Sequence, residues 1–417
     1  MNKSLGNIFK GDKVVWMVFF FLCIISIVEV FSASSSLTYK GGSYWGPVVG
    51  HSVKLLIGVF VMVCVSNVQC KYFKVATVFV LLASIGFLVW VLLFGQSTNE
   101  ASRWMDLGFF RFQPSEIAKG ALVLSVAQIL SAMQTEKGAD RQTMKFILIT
   151  VAPIILLIGV ENFSTAALLC LVVLMMMILG RVPMTQIGKL MGVAMLAVVM
   201  FLGLIMIVGH DTREEQSENR LTEVVQKEKA EKGSKVFHRF DTWKGRIMKF
   251  LDNKEVPPEK FDLDKNAQVG YSNIAIASSN VVGKGPGNSE QRDFLPQAFS
   301  DFIYAIIIEE MGIWGAFFVA LLYIVLLFRT GRIANRCENN FPAFLSMGLG
   351  LLLVSQALFN MLVAVGLAPV TGQPLPLISR GGTSSIINCV YIGMILSISR
   401  SAKKKQEFAD EVEETSN

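Results

Sequence analysis

Apolar residues in this chain of 417 residues are gathered into long blocks, with shorter polar stretches between most of them. A transmembrane helix needs about 20 mostly apolar residues to cross the hydrocarbon core of a bilayer. About ten blocks approach that length, so the pattern predicts an all-α polytopic membrane protein with about ten transmembrane helices. The predicted helices cover residues 14–31, 47–66, 73–94, 115–133, 146–160, 164–179, 187–208, 302–328, 341–365 and 385–399.

One long polar segment interrupts this pattern at residues 209–300, between the seventh and eighth predicted helices. We expect one membrane domain over 1–417, with 209–300 as a large extracytoplasmic loop and 401–417 as a cytoplasmic tail. Inside the loop, apolar residues recur at helical spacing over 236–251, opposite basic residues. This pattern predicts an amphipathic helix on the outer membrane surface; a helix packed on the bundle is the alternative.

Composition and charge agree with a membrane protein, since 53% of the residues are hydrophobic and 17% are charged. Lysines and arginines concentrate at one end of the predicted helices, which the positive-inside rule makes cytoplasmic, with both termini there. The net charge of +6 then reflects topology, and no nucleic-acid partner is expected. We also expect the first block to be a retained helix rather than a signal peptide.

Cysteine and histidine positions argue against two kinds of site. The six cysteines lie in predicted helices or cytoplasmic turns, so no disulfide framework is expected. The three histidines are far apart in the sequence, and a dedicated transition-metal site is therefore not expected.

The segment from Gly366 to Ser385 holds three prolines and four glycines between two apolar blocks. Such a segment cannot continue a helix, and non-helical backbone at membrane depth is tolerated only where it lines a cavity or is buried in protein. It therefore indicates a functional site rather than a linker.

Ionisable residues near apolar blocks supply further candidates. Glu116 and Lys119 are three residues apart and can form an ion pair on one helix face; a functional role and an ordinary helix start both stay open. Asp301 lies where the eighth predicted helix begins, and it is either a helix cap or a general base. For Glu309 and Glu310, structural pairing with a lysine or arginine across the bundle is favoured over catalysis.

A glycine-rich segment from Gly283 to Ser289 carries Lys284. It lacks the strand–turn–helix context of nucleotide-binding motifs, so a simple turn is favoured. Contact of Lys284 with a lipid pyrophosphate is the alternative.

These motifs together resemble the SEDS family of shape, elongation, division and sporulation proteins, over essentially the whole chain. The matching motifs are Arg103-Trp104 with Gln113-Pro-Ser-Glu-x-x-Lys119, Gly283-Lys-Gly with Ser289, Phe294-Leu-Pro with Ser-Asp301-Phe-Ile, Glu309-Glu-x-Gly312, and Gly366-x-x-Pro-Val-Thr-Gly-x-Pro-Leu-Pro-x-Ile-Ser-x-Gly-Gly-x-Ser-Ser385.

The resemblance implies a ten-helix peptidoglycan glycosyltransferase that polymerises lipid II into a nascent glycan strand on the outer face of the cytoplasmic (inner) membrane. It implies a class B penicillin-binding protein and other divisome membrane proteins as partners, and the division branch, acting at the septum, looks closer than the elongation branch. It also implies Asp301 as the catalytic residue. The implied substrate-binding residues are Arg103, Glu116, Lys119, Lys284, Pro296, Ser379, Arg380, Gly381 and Gly382.

Four positions depart from the family pattern. Gln297 replaces a glutamate, Ser300 a threonine, Arg380 a tyrosine, and Asn162 an aspartate, which puts a carboxylate role at Asn162 in doubt.

The implied reaction is the attack of an acceptor hydroxyl on the donor's anomeric carbon, with inversion and release of undecaprenyl pyrophosphate. Asp301 would be the base, and Lys119, Arg103, Lys284 or Arg380, with or without a divalent cation such as Mg²⁺ or Mn²⁺, would stabilise the leaving group. A lipid II flippase and a non-enzymatic division scaffold are the alternatives from other classes.

Overall fold

The computed structural model describes residues 10–33, 46–94, 96–98, 101–106, 111–208, 267–295 and 298–416. The described residues form eleven α-helices and five short strands. The helices are α1 (Lys13–Ala33), α2 (Gly46–Asn67), α3 (Cys70–Phe94), α4 (Pro114–Ala132), α5 (Thr143–Glu161), α6 (Phe163–Leu179), α7 (Met184–Val208), α8 (Ala267–Ser278), α9 (Ile303–Asn335), α10 (Asn340–Ala364) and α11 (Thr383–Ser416).

Each of the ten predicted helices coincides with a helix of the structure, which confirms the all-α polytopic membrane architecture. Within the described ranges, eight helices are long and apolar enough to cross a membrane, and α6 is a shorter apolar helix. The boundaries follow local chemistry: α4 begins at Pro114, directly after the extended residue Gln113. Proline suits this position because its missing N–H would have no partner in the first turn.

Two helical segments extend beyond the sequence expectation. The helix α8 lies inside the region expected to be a loop, and it packs on the bundle, where Ser272 Oγ donates to Ala364 O at 2.7 Å. At the other end of the chain, α11 continues to Ser416, since the residues after Ala402 are mostly good helix formers. Residues 209–266, including the predicted amphipathic helix, lie outside the described residues.

Small residues allow close packing between α2 and α11. A Cβ atom added at Gly58 would lie 2.7 Å from Cys389 Sγ, and one at Gly393 would lie 2.8 Å from Met62 O. Because hydrocarbon gives no hydrophobic drive between helices, such close backbone approach is a main source of association energy in membranes.

Short strands complete the described structure. The antiparallel strands β1 (Gln96–Thr98), β2 (Ala101–Asp106) and β3 (Arg111–Phe112) follow α3, with Met105 paired to Phe112. Both of these side chains are buried with Val91 of α3. A second pair, β4 (Gln134–Thr135) and β5 (Gly138–Ala139), connects α4 to α5. The sequence analysis did not predict strands, because segments of two to six residues carry little periodic signal.

The helix α9 is broken at Gly312, whose φ is 68° and ψ is −170°. The turn that contains Gly283 crosses the helix there. Lys284 N donates to Glu309 O at 3.0 Å, and Gly285 N donates to Glu310 O at 2.8 Å. The crossing therefore satisfies two carbonyls that the break leaves without helical partners.

We predict that Gly312→Ala destabilises the protein by about 1–3 kcal/mol, because a Cβ atom there would lie 2.4 Å from Val281 O at an unfavourable positive φ. Gly331→Ala is the matched control in the same helix, since its Cβ atom would meet nothing closer than 3.9 Å. Thermal unfolding in detergent measures both variants. Equal melting temperatures for the two would contradict the role assigned to the crossing.

Candidate active site

The Gly/Pro loop, defined as residues 366–382 between α10 and α11, lies against the turn that leads into α9. Arg380 N donates to Phe299 O at 2.9 Å, and Ser379 Oγ donates to Ser300 O at 2.5 Å. Ser379 Oγ also accepts from Leu375 N at 2.8 Å, so one hydroxyl links the loop to itself and to the turn. Two motifs far apart in the sequence are thus brought together at one end of the bundle.

Two amide side chains of α10 hold this non-helical backbone. Asn360 Nδ2 donates to Asp301 O at 2.8 Å and to Gln373 O at 2.7 Å. One turn earlier, Gln356 Nε2 donates to Pro374 O at 3.1 Å. Sequence reasoning missed Gln356 and Asn360. The available signal was two amides spaced i, i+4 in an otherwise apolar helix, where polar groups are rare unless they have a partner.

Asp301 occupies the turn before α9, and its carboxylate is partly exposed. Its Oδ1 accepts from Ser300 Oγ at 3.0 Å, while its backbone carbonyl is fixed by Asn360. The N-cap residue of α9 is Phe302, whose side chain makes no capping hydrogen bond. Asp301 therefore lies one residue before the N-cap position.

Arg380 places a positive charge on the same surface. Its guanidinium lies 5.4 Å from the centre of the Phe299 ring, a cation–π contact, and its backbone is bound to the same turn as Asp301. Desolvation lowers the pKa of Arg380 from its ordinary value, but a guanidinium stays protonated in proteins. The turn and the loop thus present a carboxylate and a cation from adjacent backbone segments.

Glu116 and Lys119 form the predicted i, i+3 ion pair on α4, with 2.8 Å between Oε1 and Nζ. Both residues are buried, with 3% and 0% of their surface exposed. Lys119 Nζ also donates to Gln356 Oε1 at 2.8 Å, and Gln356 holds the carbonyl of Pro374. The ion pair is therefore connected to the Gly/Pro loop through a single amide, that of Gln356. This connection holds whether or not the pair also binds substrate.

A second cluster of charges gathers around α9 near Gly312. Lys284 Nζ lies 2.9 Å from Glu309 Oε1 and 3.0 Å from Glu290 Oε2. Desolvation alone would lower the pKa of Lys284, but the hydrogen bonds and charges of these two glutamates raise it overall. Glu310 accepts from Gly287 N at 2.9 Å and Ser289 N at 3.2 Å.

The expected pairing of Glu309 with a lysine is confirmed. The structure brings Lys284 to Glu309 and Glu290, near the break in α9. Its role toward substrate stays a prediction.

The remaining candidates fall in three places. Gly382 has a φ of +50°, and Gly381 O accepts from Ser384 Oγ at 2.6 Å, so both glycines form the turn into α11. Arg103 lies in β2, and Pro296 lies outside the described residues. Their substrate contacts stay predictions.

Asn162, the position where the sequence departs from a carboxylate, caps α6, since its Oδ1 accepts from Thr165 N at 3.2 Å. Thr165 Oγ1 in turn accepts from Gln373 Nε2 of the Gly/Pro loop. The departure is compatible with the local structure, because asparagine and aspartate cap helices about equally well.

We predict that Lys119→Met destabilises the protein by about 3–5 kcal/mol, because it leaves Glu116 charged and buried without its cation. The double variant Glu116→Gln/Lys119→Met recovers part of this loss, since both charges are then removed. Unfolding of the wild type, both single variants and the double variant gives the coupling energy. A double variant as unstable as the sum of the single variants would show that the two residues do not interact energetically.

Comparison with known proteins supports one family over the whole length of the chain. The family model described as "cell cycle protein", which carries the names FtsW, RodA and SpoVE, matches residues 12–404. Among curated relatives, peptidoglycan glycosyltransferase MrdB of Escherichia coli K12 is 28% identical over 389 residues, 93% of each chain. The probable peptidoglycan glycosyltransferase FtsW of Haemophilus influenzae is 30% identical over 397 residues, covering 93% of this chain and 90% of that one.

Solved structures share the fold. A chain from a study of the structural coordination of polymerization and crosslinking by a peptidoglycan synthase complex superposes with a TM-score of 0.69 at 20% identity, covering 94% of this chain and 98% of that one. The rod shape determining protein RodA of Thermus thermophilus gives a TM-score of 0.63 at 20% identity, with coverage of 95% and 99%. At these identities the likeness supports the fold alone.

Proposed function

Because the chain belongs to the FtsW/RodA/SpoVE family of cell cycle proteins, the SEDS family, we propose that it is a peptidoglycan glycosyltransferase that polymerises lipid II. The observation that carries the proposal is Asp301, a partly exposed aspartate in the turn before α9, which packs on the Gly/Pro loop. The names of the curated relatives support the same activity.

Asp301 acts as the general base in this proposal. It accepts the proton of the acceptor sugar's hydroxyl as that oxygen forms a bond to the donor's anomeric carbon. The bond from this carbon to the pyrophosphate oxygen breaks on the opposite face, so the configuration inverts and undecaprenyl pyrophosphate leaves. Asn360 fixes the backbone of Asp301, and Ser300 donates a hydrogen bond to its carboxylate. These contacts hold the carboxylate in position, and a general base needs a fixed position as well as access to solvent.

Arg380 is the cation best placed to stabilise the leaving group. The ammonium groups of Lys119 and Lys284 each lie 2.8–2.9 Å from a glutamate oxygen, whereas the guanidinium of Arg380 stacks on an aromatic ring beside the Asp301 turn. A planar guanidinium with several donors suits the oxygens of a pyrophosphate. Ser379, Gly381 and Gly382 would shape the surface around it.

A divalent cation at this site would depend on the substrate for most of its ligands. In the part of the chain that the structure describes, no group of three His, Cys, Asp or Glu residues could hold a metal ion. Mg²⁺ commonly binds one or two carboxylates together with substrate phosphates. Asp301 and the pyrophosphate of the substrate could together supply these ligands. The proposal includes a divalent cation only as one that binds with the substrate.

We predict that Asp301→Asn lowers lipid II polymerisation by the purified protein by at least about 100-fold, because an amide cannot accept the proton. Asp293→Asn is the matched control, an exposed aspartate in the segment just before the same turn. Glycan chain length is measured by gel electrophoresis with labelled lipid II, with and without a penicillin-binding protein partner. Unchanged chain growth in Asp301→Asn, or equal loss in Asp293→Asn, would remove Asp301 as the base.

The same experiment separates the two alternatives from other classes. A flippase would move lipid II across vesicles without extending it, and a scaffold would leave lipid II unaltered in both respects. Chain growth that depends on Asp301 fits neither.

The proposed partner is a class B penicillin-binding protein that crosslinks the new strand, together with other divisome membrane proteins. The support is a fold neighbour that belongs to a peptidoglycan synthase complex coordinating polymerisation with crosslinking. In this proposal both termini are cytoplasmic and Asp301 faces the outer side of the inner membrane. The support is the positive-inside rule, since basic residues gather at the opposite end of the bundle.

The division branch is proposed over the elongation branch. Identities to FtsW and MrdB relatives are of similar size, 30% and 28%, so cellular position is the sharper test. We expect a fluorescent fusion of the full chain to concentrate at the septum in dividing cells, and depletion to give filaments. Even distribution along the side wall with rounding on depletion would place the protein in the elongation branch.

A further inference from the structure

A cavity of about 390 Å³ lies at the end of the bundle opposite Asp301. It is lined by the turn between α2 and α3 and by the segment of α11 around Arg400. This volume falls within the range of about 300–1,000 Å³ that small-ligand pockets occupy. The lining residues are Ser66, Asn67, Val68, Gln69, Cys70, Lys71, Ser397, Arg400 and Ser401.

The chemistry of this lining suits an anion. Two cations, Lys71 and Arg400, line it together with hydroxyl and amide side chains, and none of the described residues that line it is a carboxylate. A neighbouring cavity of about 200 Å³ is different, because Asp12 lines it and forms an ion pair with Arg329 there. Lys13 and Arg336 also line this smaller cavity, but its Asp12 carboxylate would repel an anion, which makes the larger cavity the better anion site.

The walls of the larger cavity are fixed before any ligand binds. Arg400 Nη1 donates to Asn67 Oδ1 at 2.9 Å, and Ser397 Oγ donates to Val68 O. The close packing of α2 on α11 supports both contacts. A site on two packed helices loses little conformational freedom on binding, which favours affinity.

Apolar side chains lie next to this cavity. Tyr72 is 56% exposed and Val75 is 65% exposed in the first turns of α3, and Lys71 Nζ lies 5.0 Å from the Tyr72 ring centre. A ligand that bound here would meet two cations at its polar end and exposed apolar surface beside them. That combination matches an amphiphile with an anionic head.

We propose that this cavity binds the phosphodiester head group of an anionic phospholipid in the cytoplasmic leaflet, with Lys71 and Arg400 as its cationic contacts. The leaflet follows from the positive-inside orientation, and anionic lipids give this surface its negative potential. The site is far from Asp301 along the helices, and the inference does not depend on the proposed glycosyltransferase activity.

Thermal unfolding of the full-length protein in detergent, titrated with dioctanoyl phosphatidylglycerol, tests the proposal. We expect a saturable rise in melting temperature, because a ligand that binds the folded state stabilises it. Lys71→Gln and Arg400→Gln should each raise the apparent Kd about tenfold, the loss of one charge-assisted contact. Lys71→Gln is the variant less apt to disturb folding, since Lys71 is exposed and its ammonium lies beside the Tyr72 ring.

Three controls decide the assignment. Lys189→Gln, an exposed lysine of α7 that does not line the cavity, should bind as the wild type does. Dioctanoyl phosphatidylcholine and inorganic phosphate at the same concentrations should give little stabilisation. Equal stabilisation by phosphatidylcholine would overturn the requirement for net negative charge, and equal stabilisation by phosphate would replace the lipid with a free anion. Equal weakening in Lys189→Gln would reduce the effect to overall surface charge.

Discussion

The arrangement of this protein depends on hydrogen bonds to backbone that is not helical but lies within a membrane bundle. Prolines and glycines prevent the Gly/Pro loop from forming a helix, and an unsatisfied carbonyl in an apolar environment costs several kcal/mol. The amides of Gln356 and Asn360 supply donors to Pro374 O, Gln373 O and Asp301 O. These hydrogen bonds satisfy carbonyls of the loop, and the one to Asp301 O fixes the backbone of Asp301.

A second constraint is the burial of charge. Lys119 and Glu116 are nearly inaccessible, so each needs the other, and Lys119 needs Gln356 as well. One amide thus joins the ion pair to the loop. A substitution in the Glu116–Lys119 pair would disturb the loop geometry as well as the stability of the protein. A loss of catalytic activity in such a variant must therefore be compared with its unfolding before a direct catalytic role is assigned to either residue.

The two ends of the bundle differ in chemistry. At one end, Asp301 and Arg380 are presented by a turn and a loop that pack on each other, a setting suited to a reaction that moves a proton and releases a charged group. At the other end, Lys71 and Arg400 border a cavity whose described lining residues are otherwise uncharged. The protein therefore presents different polar surfaces at its two ends.

The amino-acid sequence alone determined the positions and order of ten helices of the bundle, because block length and hydropathy are local properties. It also picked out Asp301, the Glu116–Lys119 pair and the Gly/Pro loop. Only the tertiary structure decided which segments meet: Ser379 and Arg380 bind the turn that carries Asp301, at Ser300 and Phe299, whereas Lys284 pairs with Glu309. The sequence also does not predict that Gly283 crosses Gly312, or that side chains of α10 donate hydrogen bonds to the Gly/Pro loop. Both features join segments that are distant in the chain, through contacts that no local pattern encodes.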